Sequence, residues 1–374
     1  MKSILFVVAS YIPASGAEKA LIEYLKISKT NNYLLMIGTN RENINLFKEV
    51  LPQDRIYFWK YEKFSNNSLA RFITMPMEAA KAARNFKGSK ADQWTKSKSI
   101  DYVYLNNTLE NALFYNLFPT YRKVSHIHDM VKHLRPAWGY CGARNANKSK
   151  IVFTPSEACA NELASYGVNR ERIVVAYNGV SYKRYKPVNQ DYSSGMSIGF
   201  VGGALKRKGF DFLIQMVNYV DQKKIEYGIP KIKFIIATNT DEDQYFKDCI
   251  AKISSTIEVH IYRKLNREEL EKQYQNINIL FVPSRNDPAP LVVAESTLNG
   301  CCVIASKCDG IPEMVQNKNM LFSIDNLNQF DTSMNYWLSL SPLERNKLII
   351  QNQDFIVSRF SEIKKVNLIE KYLE

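Results

Sequence analysis

Short apolar runs, many of them β-branched, alternate along this chain with stretches whose apolar positions recur at helical spacing. The first run, residues 4–9, is followed by Ala17, Leu21, Tyr24 and Leu25 at helical spacing and then by a second run at 33–37. Further runs lie at 102–105, 124–127, 151–154 and 172–176. Uninterrupted apolar runs of this length suit strands buried on both faces, and helices between them are the connections of a parallel sheet. The pattern predicts a doubly wound α/β sheet covered by helices on both sides.

A polar stretch at 186–196, rich in Asn, Ser, Pro and Gly, interrupts the series and predicts a linker. The alternation then restarts with runs at 197–201, 232–237, 258–262, 277–282 and 301–305. Between the first two of these, Leu213, Met216, Val217 and Val220 have the spacing of one helix face. After Pro342 the pattern is helical to the end, with Leu348 and Ile349, then Val366, Ile369 and Leu373, as apolar anchors. The expected organisation is a Rossmann-like domain at 1–185, a second at 197–355, and a closing helix within 356–374 that packs back toward the first. Two doubly wound domains in series imply a cleft between them. In open parallel sheets the ligand sits beyond the carboxyl ends of the strands.

Composition narrows the class. The 374 residues suit two domains, and 45% apolar with 23% charged residues is a globular profile. No apolar run approaches the roughly 18 residues that span a bilayer. The first run has a single Lys2 before it and passes directly into a helical pattern, so a buried strand is expected rather than a signal peptide. Six cysteines without CxxC spacing and four histidines without HExxH spacing predict a cytoplasmic chain with no structural metal or bound cofactor.

The net charge of +13 favours a polyanionic partner: nucleic acid, an anionic membrane or a phosphorylated substrate. Between Lys60 and Lys98 nine basic residues stand against three acids, interleaved with Phe72, Ile73, Met75, Met77 and Phe86. Two readings are open there, a solvated basic face or peripheral attachment to the inner face of a membrane. Nucleic acid is not expected as a partner, because no RNP, zinc-finger or helix-turn-helix pattern accompanies the charge.

The residues that follow the strands carry the chemistry. After the first strand, Ser10 to Glu18 passes through Ser15-Gly16 into a helix, which suits close approach of an anion although neither GxGxxG nor a Walker loop is present. The segment Val124-Ser-His126-Ile-His128-Asp129 puts two histidines at i, i+2 on one strand face, with Asp129 placed to fix a tautomer. In the second half, Gly202-Gly203-Ala-Leu-Lys-Arg207-Lys208-Gly209 sets cations where a diphosphate would need neutralising. Further on, Asp287 lies in a loop and Glu295 follows eight residues later, in a helix beginning near Leu291 and Val292. The start of that helix would offer its N–H groups to phosphates, and the carboxylates would accept from sugar hydroxyls. Basic loops and spaced carboxylates are also ordinary surface features, so each segment alone leaves both readings open. Asp241-Glu-Asp243 resembles a metal-binding DxD motif, but it opens a helix, where acids favour the dipole.

Taken in order, these segments resemble the retaining GT-B glycosyltransferases of family four, which include sucrose synthase-type and bacterial polysaccharide enzymes. The likeness rests on Ser15-Gly16-Ala17-Glu18, His128-Asp129, Ile173 to Val180, Arg207-Lys208-Gly209, Asp287 to Glu295 and Asp309-Gly-Ile-Pro-Glu313. It implies two Rossmann-like domains facing across a cleft and transfer of a hexose, preferably from a uridine diphosphate sugar, without a metal. Arg207 and Lys208 would hold the diphosphate, Glu295 the ribose hydroxyls and Asp287 the donor sugar, with Gly16 admitting the phosphates. His128 would lie near the sugar and acceptor, and the loop at Tyr262-Arg263-Lys264 near the base. Retention would follow from front-face attack, and the acceptor would be a glycan or polyprenyl-linked glycan of surface polysaccharide assembly. The sequence departs from the family pattern twice: Asp287 stands where Glu is usual, and Gly203 where Arg is frequent. The departures keep a second class open, a non-catalytic subunit of the same fold that binds acceptor or a partner enzyme. An epimerase acting on the nucleotide sugar alone would need further carboxylates and a different His placement.

Overall fold

The central strands pair so that their apolar runs are buried on both faces at once. In the computed structural model, which describes residues 1–11, 16–62, 71–134, 136–180 and 183–374, the chain forms two units: Met1–Gly179 with Glu362–Glu374, and Val180–Ser361. The first holds seven strands: β1 (Ser3–Ser10), β2 (Asn31–Gly38), β3 (Ile56–Lys60), β4 (Tyr102–Leu105), β5 (Arg122–His126), β6 (Ile151–Thr154) and β7 (Ile173–Val175). They pair in parallel in the order β3-β2-β1-β4-β5-β6-β7. The period of two splits β1 between two cores. Ile4, Phe6 and Val8 join Leu34, Met36 and Tyr104 on one face, while Leu5 and Val7 join Leu35, Ile37 and Val103 on the other.

The second unit repeats the plan with six strands: β8 (Met196–Val201), β9 (Ile232–Thr238), β10 (Glu258–Arg263), β11 (Ile279–Val282), β12 (Cys302–Ser306) and β13 (Leu321–Phe322). Their order is β10-β9-β8-β11-β12-β13, again parallel. Each unit is therefore a doubly wound Rossmann-like sheet. Two strands fall outside the runs singled out in the sequence. β3, Ile-Tyr-Phe-Trp-Lys, is a sheet edge with half-buried faces, and β13 is only two residues long.

The stretch 186–196, expected to be a free linker, is instead built into the second unit. Gln190 and Tyr192 are 1% and 5% exposed. The Tyr192 hydroxyl accepts from Trp337 Nε1 at 2.8 Å, and the Gln190 carbonyl accepts from Arg345 Nη1 at 2.8 Å. Arg345 is itself buried and donates also to the carbonyls of Trp337 and Leu338, at 3.0 and 2.7 Å, with its guanidinium over the Tyr192 ring. A polar composition conceals this role because the partners lie some 150 residues away. The helical tail also divides. Pro342–Arg359 stays in the second unit, whereas Glu362–Leu373 places Val366, Ile369 and Leu373 in the core beneath β1 and β4. Among the described residues no helix is long and apolar enough to cross a membrane.

Removing the Arg345 side chain takes one donor from each of three carbonyls, and each buried group left unsatisfied costs about 1–3 kcal/mol. Arg345→Ala should therefore lower the denaturant midpoint of the second unit clearly, and a superimposable unfolding curve would show that 186–196 is not fastened by this network.

Candidate functional site

Each sheet has one strand, β1 or β8, from which the chain winds outward in both directions, so the loops beyond its carboxyl end and that of its neighbour β4 or β11 diverge. Such switch points are where ligands of doubly wound sheets bind. The sequence-predicted residues fall at both.

In the second unit the loop after β8 passes through Gly202 and Gly203, turns through Lys206–Lys208, and enters the helix Phe210–Lys223 at Gly209. Gly209 is left-handed, with φ of 70°, and an added Cβ would stand 1.7 Å from the Pro283 carbonyl oxygen. Only glycine allows the two loops to touch there. The contact is sealed by the Arg207 carbonyl, which accepts from the backbone N–H of Arg285 and Asn286 at 2.8 and 3.2 Å. Lys208 is thereby set against Asp287, and the two form an ion pair. Asp287, 5% exposed, is also bonded by Ser284 Oγ at 3.3 Å, and its N–H donates to Asp309 at 3.0 Å. Arg207 is exposed and, among the described residues, makes no ion pair.

Arg285 was not singled out by the sequence. Its guanidinium bridges Asp211 at 2.6 Å and Asp325 at 2.5 Å and so holds the Asp287 loop to the first helix of the unit. The only signal for it was its place between Ser284 and Asp287. Leu291 and Val292 begin the helix Leu291–Leu298, whose cap position is Pro290, with no side-chain cap and no acid in the first turn. Its N–H end is open to an anion. One turn on, half-buried Glu295 accepts from the Tyr274 hydroxyl at 3.1 Å. Burial and the Glu295 carboxylate hold the Tyr274 phenol well above its ordinary range, so it remains the donor. Arg263 is engaged within its own unit. It bonds the Thr240 carbonyl, pairs with Glu242 at 3.1 Å and covers the Phe246 ring at 4.6 Å, so its side chain shapes the loop after β9. Asp243 caps the following helix by accepting from Phe246 N–H at 2.8 Å.

In the first unit Gly16 opens the helix Gly16–Ile27, and an added Cβ would meet no described atom within 4 Å. Ser15, the residue before it in the predicted motif, lies outside the described residues. His126 ends β5 and His128 follows just beyond, and their rings stack at 3.8 Å. They do share a face, but the partner the structure gives is Tyr104, whose hydroxyl shares a 2.7 Å hydrogen bond with His126 Nδ1. Burial, and then the charge of Lys365, lowers His128 to about 3. Burial, His128 and Lys365 hold His126 well below its ordinary value. Lys365 comes from the final helix, 4% exposed and paired with Glu362 at 3.2 Å. The histidines therefore act as neutral imidazoles. Between them and Lys365 lies a cavity of about 10 Å³, room for a single water.

Glu110 was missed. The spelling Asn107-Thr-Leu-Glu110 suggests a capping box, in which Glu110 would bond the Asn107 N–H. Instead Glu110 accepts from Ala9 N–H at 2.7 Å, across 101 positions. The pairing of β1 with β4 ends at Val7 and Leu105, so the Ala9 N–H needs another acceptor. Glu110 is 2% exposed, and its second oxygen has no hydrogen-bond partner among the described residues. Burial raises it to about 8, and nearby Glu18 and Asp129 push in the same direction.

The basic stretch 60–98 resolves into helices Arg71–Phe86 and Lys90–Lys96. Met75 and Phe86, each 2% exposed, belong to the core and cannot serve a membrane, while Met77 is 64% exposed. Lys63 and the side chains of Arg71, Phe72 and Ile73 lie outside the described residues.

Because Glu110 titrates above its unfolded value of 4.5, the folded chain holds a proton the unfolded chain has lost, and stability falls as pH rises from about 4.5 to 8. Glu110→Gln lacks this loss. Its melting temperature relative to the parent should rise steadily between those limits and level off above 8. A difference that is flat with pH would mean that Glu110 is ionised in the fold.

Family models match two adjoining stretches: "Glycosyltransferase Family 4" over residues 69–184 and "Glycosyl transferases group 1" over 182–354. A Klebsiella pneumoniae protein, described as an uncharacterized 41.2 kDa protein in the cps region, is 24% identical over 63% of this chain and 68% of its own. An uncharacterized glycosyltransferase of Methanocaldococcus jannaschii is 23% identical over 45% of each chain. Among solved structures, Anabaena HepE in complex with UDP and glucose superimposes with a TM-score of 0.77 at 18% identity, over 100% of this chain and 99% of HepE. The lipopolysaccharide outer core galactosyltransferase WaaB, in apo form, gives 0.72 at 16% identity over 99% of both chains.

Proposed function

We propose that this chain, a glycosyltransferase of the GT-B fold, moves a hexose from a uridine diphosphate sugar to a glycan or lipid-linked acceptor, with retention of configuration, in surface polysaccharide assembly. The observation that carries the reading is the meeting of Lys208, Asp287 and exposed Arg207 at the switch point of the second sheet. A departing diphosphate needs positive charge already in place, and Arg207, Lys208 and the open helix start at Leu291 and Val292 supply it. Asp287, set by Ser284, then accepts from sugar hydroxyls and shares Lys208 with the phosphates. Glu295, oriented by Tyr274, takes the ribose hydroxyls. Asp287 in place of Glu has a shorter reach, which its ion pair with Lys208 compensates by fixing the carboxylate. In the first unit Gly16 leaves space for phosphate or sugar, and neutral His128 presents an imidazole that can bond a hydroxyl without repelling a developing positive sugar.

The choice of UDP and hexose is supported by HepE, solved with UDP and glucose, and by the galactosyltransferase WaaB. Polysaccharide assembly is supported by the relative from a cps region. Attachment to an anionic membrane would then be electrostatic, through the exposed Arg84, Lys87, Lys90 and Lys96, and it accounts for a lipid-linked acceptor.

Charge-assisted contacts contribute about 1.5–3 kcal/mol each, so Arg207→Ala should weaken UDP binding about ten- to hundredfold by calorimetry. Glu295→Ala should abolish sugar transfer while leaving the melting transition in place. Unchanged turnover in that variant removes the residue from the reaction, and no heat with UDP in the parent favours a non-catalytic subunit. Sedimentation with anionic liposomes should be strong at low salt and lost at high salt, whereas salt-independent sedimentation contradicts an electrostatic attachment.

A further inference from the structure

The first unit has a second concavity, at the opposite edge of the sheet from the loops described above. Arg122 opens β5, and Lys148 and Lys150 immediately precede β6, so these residues stand at the amino ends of the strands. Together with Lys123, Tyr115 and Tyr121 they line a cavity of about 480 Å³. No carboxylate is among its lining residues. Such a volume holds a small organic anion rather than a single water.

Lys123 is the centre of the arrangement. Its side chain is buried, 9% exposed as a residue, yet among the described residues its ammonium meets only the Tyr121 carbonyl at 3.3 Å and the face of the Tyr115 ring at 4.7 Å. Lys148 faces the same ring at 6.0 Å and is bonded to Asn145 Oδ1 at 3.1 Å. Lys150 donates to the Tyr102 hydroxyl at 2.9 Å. Among the described residues none of these four cations has an ion-pair partner. Asp92, beside Tyr121, is paired with Lys96 at 2.8 Å. The contrast within the same unit is Lys365, also buried but joined to Glu362. Buried charges are ordinarily paired, because desolvation without a counter-charge is costly.

Two titrating groups report the resulting field. Burial and then the charge of Lys148 lower Lys123. Burial would raise Tyr102, but Lys150 and Arg122 bring it below its ordinary value. In each case neighbouring cations contribute to the shift, as expected of a cluster of like charges that no carboxylate pairs with among the described residues.

We propose that this concavity binds a phosphate-bearing anion at a site separate from the nucleotide-sugar site. A phosphate ester offers the oxygens that Arg122 can fork and three lysines can bond, and the tyrosine faces flank its organic part. Either a soluble phosphate ester or a phospholipid headgroup carries this chemistry.

The test is calorimetric titration of the full chain with inorganic phosphate and with glycerol 3-phosphate at low salt, alongside sedimentation with phosphatidic acid vesicles. The parent should bind at least one of these probes. Lys148→Glu, an exposed change, should weaken that binding about tenfold or more, and Lys123→Met should do the same if its melting transition is retained. Arg207→Ala should leave this binding intact while weakening UDP, so failure of the donor-site reading is seen separately. Binding of the soluble probes alone identifies a free ester, and binding of vesicles alone identifies a headgroup. The proposal is overturned if no probe binds, if Lys148→Glu leaves binding unchanged, or if saturating UDP abolishes it.

Discussion

The ion pair of Lys208 with Asp287 joins residues 79 positions apart, and it exists because one glycine lies against one carbonyl. Gly209 in its left-handed conformation brings the loop after β8 onto Pro283, the first residue after β11. Any side chain at 209 would separate the two loops, and with them the cation from the carboxylate. Arg285 then clamps the junction from outside through Asp211 and Asp325. The charged cluster of the second unit is thus a product of backbone closeness, to which the side chains respond.

The switch points of the two units differ in their ionisable groups. At the switch point of the second, charges are kept and matched: Lys208 with Asp287, Arg285 with two carboxylates, Glu295 with a phenol. At the switch point of the first, burial drives groups to their neutral forms, His126 and His128 downward and Glu110 upward to about 8. Preorganised charge suits the stabilisation of a leaving diphosphate, whereas neutral donors and acceptors suit hydroxyls.

Lys365 shows how the final helix enters that chemistry. Its apolar face, Val366, Ile369 and Leu373, is bound into the core under β1 and β4. The same packing places the Lys365–Glu362 pair beside the histidines, where its positive charge helps keep them unprotonated. A helix that belongs by sequence to the end of the chain therefore tunes residues near position 126.

Much of the fold was legible in the sequence because burial leaves a local mark. Residues 4–9 are apolar without a break since β1 is covered on both faces, and Leu213, Met216, Val217 and Val220 recur because one side of a helix meets a sheet. Gly209 and the cations before it were legible for the same reason, as a turn and a charge cluster in one short segment. What the sequence could not show was the partner of each polar side chain. Glu110 spelled a capping box but answers the free N–H of Ala9, and the polar stretch at 186–196 carries the acceptors for Trp337 and Arg345. β13 left no pattern because it is only two residues long, and β3 is an edge whose Ile-Tyr-Phe-Trp run is only half-buried. Hydrophobic periodicity is written within a few residues of itself, whereas a hydrogen-bond partner is chosen by sheet register and by where a strand happens to stop, and those exist only once the chain has folded.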